Sequence, residues 1–466
     1  MDDKYMTVEG SSFRDPAGFI FYRNNEVFRQ INKVYRKQYD HLISSGLYDS
    51  LQSESMIVTH KEVNETANID FCYKVILPEV IPCISYPYEW SFGQLKDSAI
   101  LTLKIHRHAL DYGMVLKDAS AYNIQFNLGR PILIDTLSFD FYEEGKPWGA
   151  YGQFCRHFLA PLFLMVYRDI RLSQLLRIYI DGIPLDLVSR LLAGKGGFAA
   201  TQHIRWHAAA TKRYADAGKN GDVNSKIRKI SKAQHIALVD SLLRIVESLT
   251  LKNVETEWGD YNPFTSYTKT GAQSKMDIVK SMIAQVSPKS TWDFGANDGI
   301  YSKMALYSEE SHVVAFDADP IAVERNYNNI KKKNEKRNLL PLLLDLTNPS
   351  PNIGFANKER LTIDNRSRPD LIMLLAVLHH LAISNNLPLH SIASWLSGMT
   401  DFIIIEFVPK EDEQAKKLLE TRVDIFENYT RNGFEKAFST YFELLDFKNV
   451  EDSLRTLYLY RRKNAV

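Results

Sequence analysis

The sequence predicts an α/β chain in two parts: a C-terminal doubly wound sheet of seven strands with the last strand antiparallel, preceded by an α+β domain. Three observations carry that reading. From Lys289 onward, short β-rich runs alternate with helix-patterned segments, the pattern of a parallel sheet covered by helices on both faces. The first run leads into a tight turn, Thr291 to Lys303, "TWDFGANDGIYSK". Two strand-like runs, "FELLDF" and "RTLYLYRR", close the chain after its last helix.

Taken in order, the predicted strands of the C-terminal part are "STWDF", "HVVAF", "LLPLLL", "DLIMLLA", "FIIIEF" and the closing pair. Helices fall on "IYSKMALYS", "PIAVERNYNNIKKK" and "LHHLAISNNLPLHSIASWLSG", the last broken at "NNLP", then on "KEDEQAKKLLETR" and near "NGFEKAFSTY". In the N-terminal part "GFIFYRNNEVFRQI" predicts a hairpin turning at Asn24-Asn25, followed by a helical stretch and strands near "MIVTHKEV" and "YKVILPEVI". "SFGQLKDSAILTLKIHRHALDYGM" then reads as helical.

At 466 residues the chain exceeds one ordinary domain of roughly 100–200 residues. We expect residues 1–192 to form the N-terminal α+β domain, 193–256 a basic helical connector and 257–466 the sheet domain. Arg205, Lys212, Arg213, Lys219, Lys226, Arg228, Lys229 and Lys232 give the connector its charge, which reads as a solvated linker. The net charge of +1 supplies no global attraction to nucleic acid. The polar start "MDDKYMTVEG" has no apolar core of a signal peptide, and "FLAPLFLMVY" is about half the length a bilayer span needs, so a cytoplasmic protein without a membrane span is expected. Cys72, Cys83 and Cys155 form no C-x-x-C pair and read as reduced thiols.

The turn is where the chemistry gathers. In a doubly wound sheet the ligand lies outside the carboxyl ends of the strands, and the first β-to-α turn lets the backbone approach it. Gly295 and Gly299 remove side chains there, and Asn297 is the non-glycine residue that best tolerates positive φ. Asp317 ends the next strand, where its carboxylate can accept from both hydroxyls of a ribose. Asp345 ends the third, placed for an adenine amino group, with Leu346 as an apolar wall. A dinucleotide competes for such a turn, but Asp293 would repel a pyrophosphate and attract the ammonium of an amino-acid tail, which selects S-adenosyl-L-methionine. Ala296, Ala318 and Ala376 complete the expected cofactor set.

"TWDFGANDGIYSKMA", "VVAFDADPIAVERNY", "LPLLLDLTNPSPNIGFAN", "LLAVLHHLAISNNLPL" and "IIIEFVPKEDEQAKKLL" resemble a family of bacterial class I S-adenosylmethionine-dependent methyltransferases, to which nodulation proteins of the NoeA type are also similar. "SYPYEWSF" and "LKDASAYNIQF" are similar to the same family. The resemblance implies a Rossmann-like fold and the cofactor, and supplies no substrate. A saccharide or lipid-linked saccharide is the acceptor that the nodulation resemblance suggests.

Methyl transfer needs a nucleophile in line with the sulfonium methyl, and a base only where the acceptor must lose a proton. The fourth strand's exit, "LLAVLHHLAI", is not the Asn/Asp-Pro-Pro-aromatic signature similar enzymes use for a base's exocyclic amine, which argues against nucleic-acid N-methylation. His379 or His380 is therefore read as a base toward an oxygen acceptor, against the alternative that one packs on the sheet and the other shapes the pocket. Glu406 either orients a hydroxyl or histidine or caps the following turn. Tyr261, Tyr267 and Lys275 either contact the methionine end or substrate or are surface residues.

"LKDASAYNIQFNLGRPILIDTLSF" resembles the catalytic segment of small-molecule kinases of the aminoglycoside phosphotransferase type. That resemblance implies Asp118 as the loop aspartate and Asn123 and Asp135 as magnesium ligands beside ATP. Leu116 stands where the family has histidine, "FRDPAGF" offers no glycine-rich phosphate loop, and no strand lysine is identifiable. Three readings stay open: active phosphotransfer, a degenerate kinase-like binding module, and an unrelated fold. For the whole chain the leading reading is a methyltransferase acting on a small-molecule or saccharide-type acceptor presented by the N-terminal domain. The alternatives are a bifunctional kinase-methyltransferase and a non-catalytic S-adenosylmethionine-binding protein.

Overall fold

The computed structural model describes residues 6–65, 67–195, 197, 201–205, 229–251, 267–333, 338–420 and 422–463. Tyr261 and most of the basic run, Lys212 to Arg228, lie outside them. Two compact units form: Met1–Asn253 with Pro351–Leu361, and Val254–Ser350 with Thr362–Val466. The chain is thus divided after Asn253, and an eleven-residue excursion from the second half of the sequence belongs to the first unit, which the expected boundaries did not include.

In the first unit β1 (Met6–Val8), β2 (Gly18–Arg23), β3 (Glu26–Asn32), β4 (His60–Val63) and β5 (Cys72–Pro78) form an antiparallel sheet in the order β1-β2-β3-β5-β4. The hairpin β2–β3 turns at Asn24 and Asn25 with φ of 52° and 65°, the left-handed pair that matches strand twist. Ser91 caps the helix Phe92–Asp111 reciprocally with Gln94, satisfying two otherwise orphaned N–H groups. The helix Lys232–Ser248, expected in the connector, packs along Phe92–Asp111 instead, with His106 Nε2 2.9 Å from His235 Nε2 between them. β6 (Met114–Leu116) pairs with β9 (Phe139–Phe141), and β7 (Ile124–Asn127) with β8 (Arg130–Leu133). The excursion is anchored by Arg14 and Glu359, 2.6 Å apart, and by Arg360, whose guanidinium lies 3.9 Å from the Tyr122 ring centre.

The second unit holds one sheet: β10 (Ser290–Phe294), β11 (His312–Asp317), β12 (Leu339–Leu343), β13 (Leu371–Leu374), β14 (Phe402–Phe407), β15 (Phe442–Asn449) and β16 (Thr456–Arg462). Their order is β12-β11-β10-β13-β14-β16-β15, with five parallel strands and β16 antiparallel to both neighbours. β10 and β13 are buried along their whole length; β13 reads as an unbroken apolar run, whereas β10 carries Ser290, Thr291 and Asp293 among its buried residues. β15 is the outer strand, and a register shift between Leu444 and Asp446 interrupts its pairing, a device that blunts an exposed edge. The long helical stretch divides as its sequence indicates, into His380–Ser384 and Leu389–Met399. Among the described residues no helix is long and apolar enough to cross a membrane, and Cys72, Cys83 and Cys155 form no disulfide.

Candidate functional site

The strand order reverses at β10, with β11 leaving to one side and β13 to the other, so a crevice opens above the carboxyl ends of these strands. The turn after β10 is built for close approach. Gly295 has φ of 73°, and a Cβ there would lie 2.3 Å from Val377 Cγ2 on the segment following β13. Gly295 and Ala296 both donate their N–H to Phe316 O, at 2.8 and 2.9 Å, stitching the turn to the end of β11. Asn297 is left-handed with φ of 47° and donates its N–H to Asp317 Oδ2 at 2.8 Å; Asp319 N–H donates to Asp317 Oδ1 at 2.9 Å. Gly299 starts the helix Ile300–Met304 in the same conformation, packed against Asn326, whose side chain a Cβ would meet at 2.6 Å.

A cavity of about 420 Å³ lies over this turn. Gly295, Asn297, Asp317, Ala318, Asp345, Leu346, Ala376 and His380 all line it, eight of the fifteen positions that the sequence places at the cofactor or beside the acceptor. Thr347, Val377, Ser384 and Leu418 also line it and were not anticipated. Thr347 donates through both N–H and hydroxyl to Asp345 Oδ1, fixing that carboxylate at the rim. The signal for Thr347 was available, since Asp-x-Thr is an Asx-turn pair; nothing in the sequence points to Leu418, which arrives from a helix far along the chain.

Other expected residues stand behind the cavity. Asp293 is 2% exposed and accepts from Ser302 Oγ at 2.6 Å, so it braces the turn rather than lining the cavity. Burial pushes both Asp293 and Asp317 up to about 6. His379 is 1% exposed and lies beside His380 with ring centres 4.1 Å apart and the rings tilted by 39°; of the two, His380 lines the cavity. Burial lowers His380 to about 4, helped by the Arg455 charge, and drives His379 well below the ordinary imidazole range. Both rings are neutral near pH 7.

Glu406, Tyr267 and Lys275 form a single buried group away from the lining. Lys275 Nζ lies 2.7 Å from Glu406 Oε2, with side chains 4% and 0% exposed, and the Tyr267 hydroxyl donates to Glu406 Oε1. Glu406 therefore neither caps the turn nor faces the cavity. Arg455, at the entry to β16, is 1% exposed, lies 3.9 Å from Glu406 Oε1 and donates to both oxygens of Asp412 at 2.8 and 3.0 Å. Burial lowers Lys275 and opposes ionisation of Glu406, but the Lys275 and Arg455 charges carry Glu406 below the usual carboxylate range. Arg455 and Asp412 went unnoticed in the sequence, though an arginine opening an apolar strand is the kind of residue that has to find a buried anion.

In the first unit Asp118, Asn123 and Asp135 are drawn together: Asp118 feels the Asp135 charge, and burial raises it while the Asn123 amide opposes that rise. Arg29 of β3 sits 2.6 Å from Asp135 Oδ1, and Asp135 Oδ2 accepts from Ser138 Oγ at 2.6 Å. Asn123 Nδ2 donates to the same Ser138 hydroxyl. A guanidinium thus stands on the carboxylate that the kinase resemblance assigns to magnesium, and among the described residues no group of three or more His, Cys, Asp and Glu is placed to hold a metal.

No protein-family model matches the sequence. Among solved structures, the chain is similar to the N-methyltransferase NodS from Bradyrhizobium japonicum WM9, at 10% identity and TM-score 0.31 over 42% of this chain and 98% of that one. It is similar also to the bifunctional kinase-methyltransferase WbdD, at 13% identity and TM-score 0.30 over 43% and 41%. Overlaps this low specify neither activity nor substrate. The similarity to nodulation protein NoeA of Rhizobium meliloti (strain 1021) is of another order: 32% identity over 457 residues, 97% of this chain and 95% of that protein. The chain belongs to the family of nodulation protein NoeA.

Proposed function

We propose that the second unit is an S-adenosyl-L-methionine-dependent methyltransferase acting on an oxygen of a small-molecule or saccharide-type acceptor. The observation that carries this is the single cavity over β10, β11 and β12 that joins a side-chain-free turn at Gly295, a carboxylate at Asp317 and a rim acid at Asp345. Its volume falls in the range of small-molecule and cofactor sites, and the donor set fits the cofactor: Asp317 for the ribose hydroxyls, Asp345 for the adenine amine, Leu346 for the ring face. When bound, the cofactor supplies a sulfonium-activated methyl group. What this chain adds is positioning, with His380 accepting a hydrogen bond from the acceptor hydroxyl through a neutral ring nitrogen. An imidazole held near 4 is a weak base, so its contribution is orientation more than proton abstraction.

Calorimetric titration with S-adenosylhomocysteine tests the reading. One-site saturable binding is expected, weakened at least about a hundredfold in Asp317→Ala, since that change removes an ionic acceptor of two hydroxyls. No binding to the folded wild-type chain would overturn it.

A second expectation follows from the raised carboxylates. An acid whose folded value lies above its unfolded one contributes stability below the unfolded value, near 4, and loses it as pH rises through about 6. The empty site is therefore least stable above pH 6, where ionised Asp317 has the most to gain from ribose hydroxyls. The rise in melting temperature caused by S-adenosylhomocysteine should be larger at pH 7.5 than at pH 5; equal rises would exclude this linkage.

For the first unit we propose a binding role in recognising the acceptor rather than phosphotransfer, because Arg29 already neutralises Asp135. Magnesium and ATP together should give no turnover above background. Sustained magnesium-dependent hydrolysis that disappears in Asp135→Ala would instead establish the bifunctional alternative.

A further inference from the structure

A second cavity in this unit, about 470 Å³ in volume, shares a wall with the first. Within the segment from His380 to His390, His380, Leu381, Ser384 and Asn385 line the cofactor cavity, while Ala382, Asn386, Leu387 and His390 line the other. The partition arises because His380–Ser384 forms a wide π-type turn, an irregularity that is common at functional sites and here sends successive residues to opposite sides. The far wall comes from Ile425, Phe426, Asn428 and Tyr429 and from the face of the helix Arg431–Ser439 that carries Lys436.

The lining has an uneven chemistry. Phe426, Tyr429, Leu387 and Leu389 give it an apolar body. Its one cationic side chain is Lys436, which makes no ion pair with any described acid, and no Asp or Glu lines the cavity. His390 adds a ring that bonds the Tyr441 hydroxyl at 2.8 Å. An exposed lysine and aromatic residues lining one cavity, with no acid among them, suit a ligand that brings its own anion on an apolar body.

We infer that this second cavity receives the non-reacting end of the acceptor, and that this end is an anionic group, phosphate or carboxylate, carried on an apolar or aromatic body. The inference rests on the methyltransferase reading for the word acceptor; the ligand chemistry stands on the lining alone. Lys436 supplies the charge contact, Phe426 the apolar surface, and the shared wall places the bound end next to the cavity in which His380 lies.

Phenyl phosphate and benzoate are the probes, titrated into the full chain and followed by calorimetry, with phenol and inorganic phosphate as controls. Both anionic aryl probes should bind saturably and more tightly than either control, and the tighter of the two identifies the anion. Lys436→Gln should weaken them about tenfold, the loss of one charge-assisted contact, and Phe426→Ala should weaken them to a similar degree. S-adenosylhomocysteine affinity should be unchanged in both variants, because neither residue lines its cavity. Equal probe binding in wild type and Lys436→Gln, phenol binding as well as phenyl phosphate, or no saturable binding in the millimolar range would each overturn the proposal. Failure of S-adenosylhomocysteine to bind the wild type would remove the methyltransferase reading while leaving the probe result to decide the cavity.

Discussion

Glu406→Ala is expected to destabilise the sheet unit by about 3–5 kcal/mol, the cost of removing one partner from a buried ion pair. The change leaves Lys275, 4% exposed, and Arg455, 1% exposed, with a cation each in a region from which water is excluded, and it takes the acceptor from the Tyr267 hydroxyl. Asp412 still holds Arg455 by two hydrogen bonds, so the orphaned charge is that of Lys275. Hydrogen exchange of peptides covering Phe402–Phe407 and Thr456–Arg462 measures the effect where the group sits, independently of the first unit. Pairing the change with Lys275→Met should recover much of the loss, because two apolar groups in place of a desolvated pair are often nearly neutral. Protection unchanged in Glu406→Ala would show that the pair is not buried in solution.

That network also marks the boundary of what sequence reasoning reached. β10 and β14 fall on the runs predicted for them, because β-branched and aromatic residues dominate both and turn signals stand at each end. That Gly295, Asn297, Asp317 and Asp345 gather at one cavity was legible because each is fixed by the backbone next to it. A glycine that admits no Cβ, an asparagine at positive φ and acids at strand ends are local facts. Direction was not legible. Glu406 is the penultimate residue of its strand, close to the same carboxyl edge that Asp317 ends, but it turns to Lys275, which is 131 residues away in sequence. His379 and His380 are indistinguishable as letters, and only the π-type turn decides which ring reaches the cavity. The excursion Pro351–Leu361 was hidden for the same reason. Its anchor pairs Glu359 with Arg14 across 345 positions, and no local pattern announces such a partner.

Gly295→Ala is the smallest change with the largest expected effect on cofactor binding, a loss of affinity of about a hundredfold or more, equivalent to about 2.7 kcal/mol. Two penalties combine in it. The backbone φ of 73° strains any residue with a Cβ, by about 1 kcal/mol, and the added atom would stand 2.3 Å from Val377 Cγ2, far inside contact distance. The turn is tied to Phe316 through two N–H groups and to Asp317 through the Asn297 N–H, so it cannot move away from Val377 without pulling on the Asp317 carboxylate. The two penalties separate experimentally. In Gly295→Ala/Val377→Ala the clashing methyl is gone and the backbone strain remains, so S-adenosylhomocysteine affinity should return to within about tenfold of wild type. A double variant as weak as the single one would place the whole effect in the backbone. A single variant that binds normally would mean that the turn does not approach the ligand, and that the cavity over β10 serves something other than this cofactor.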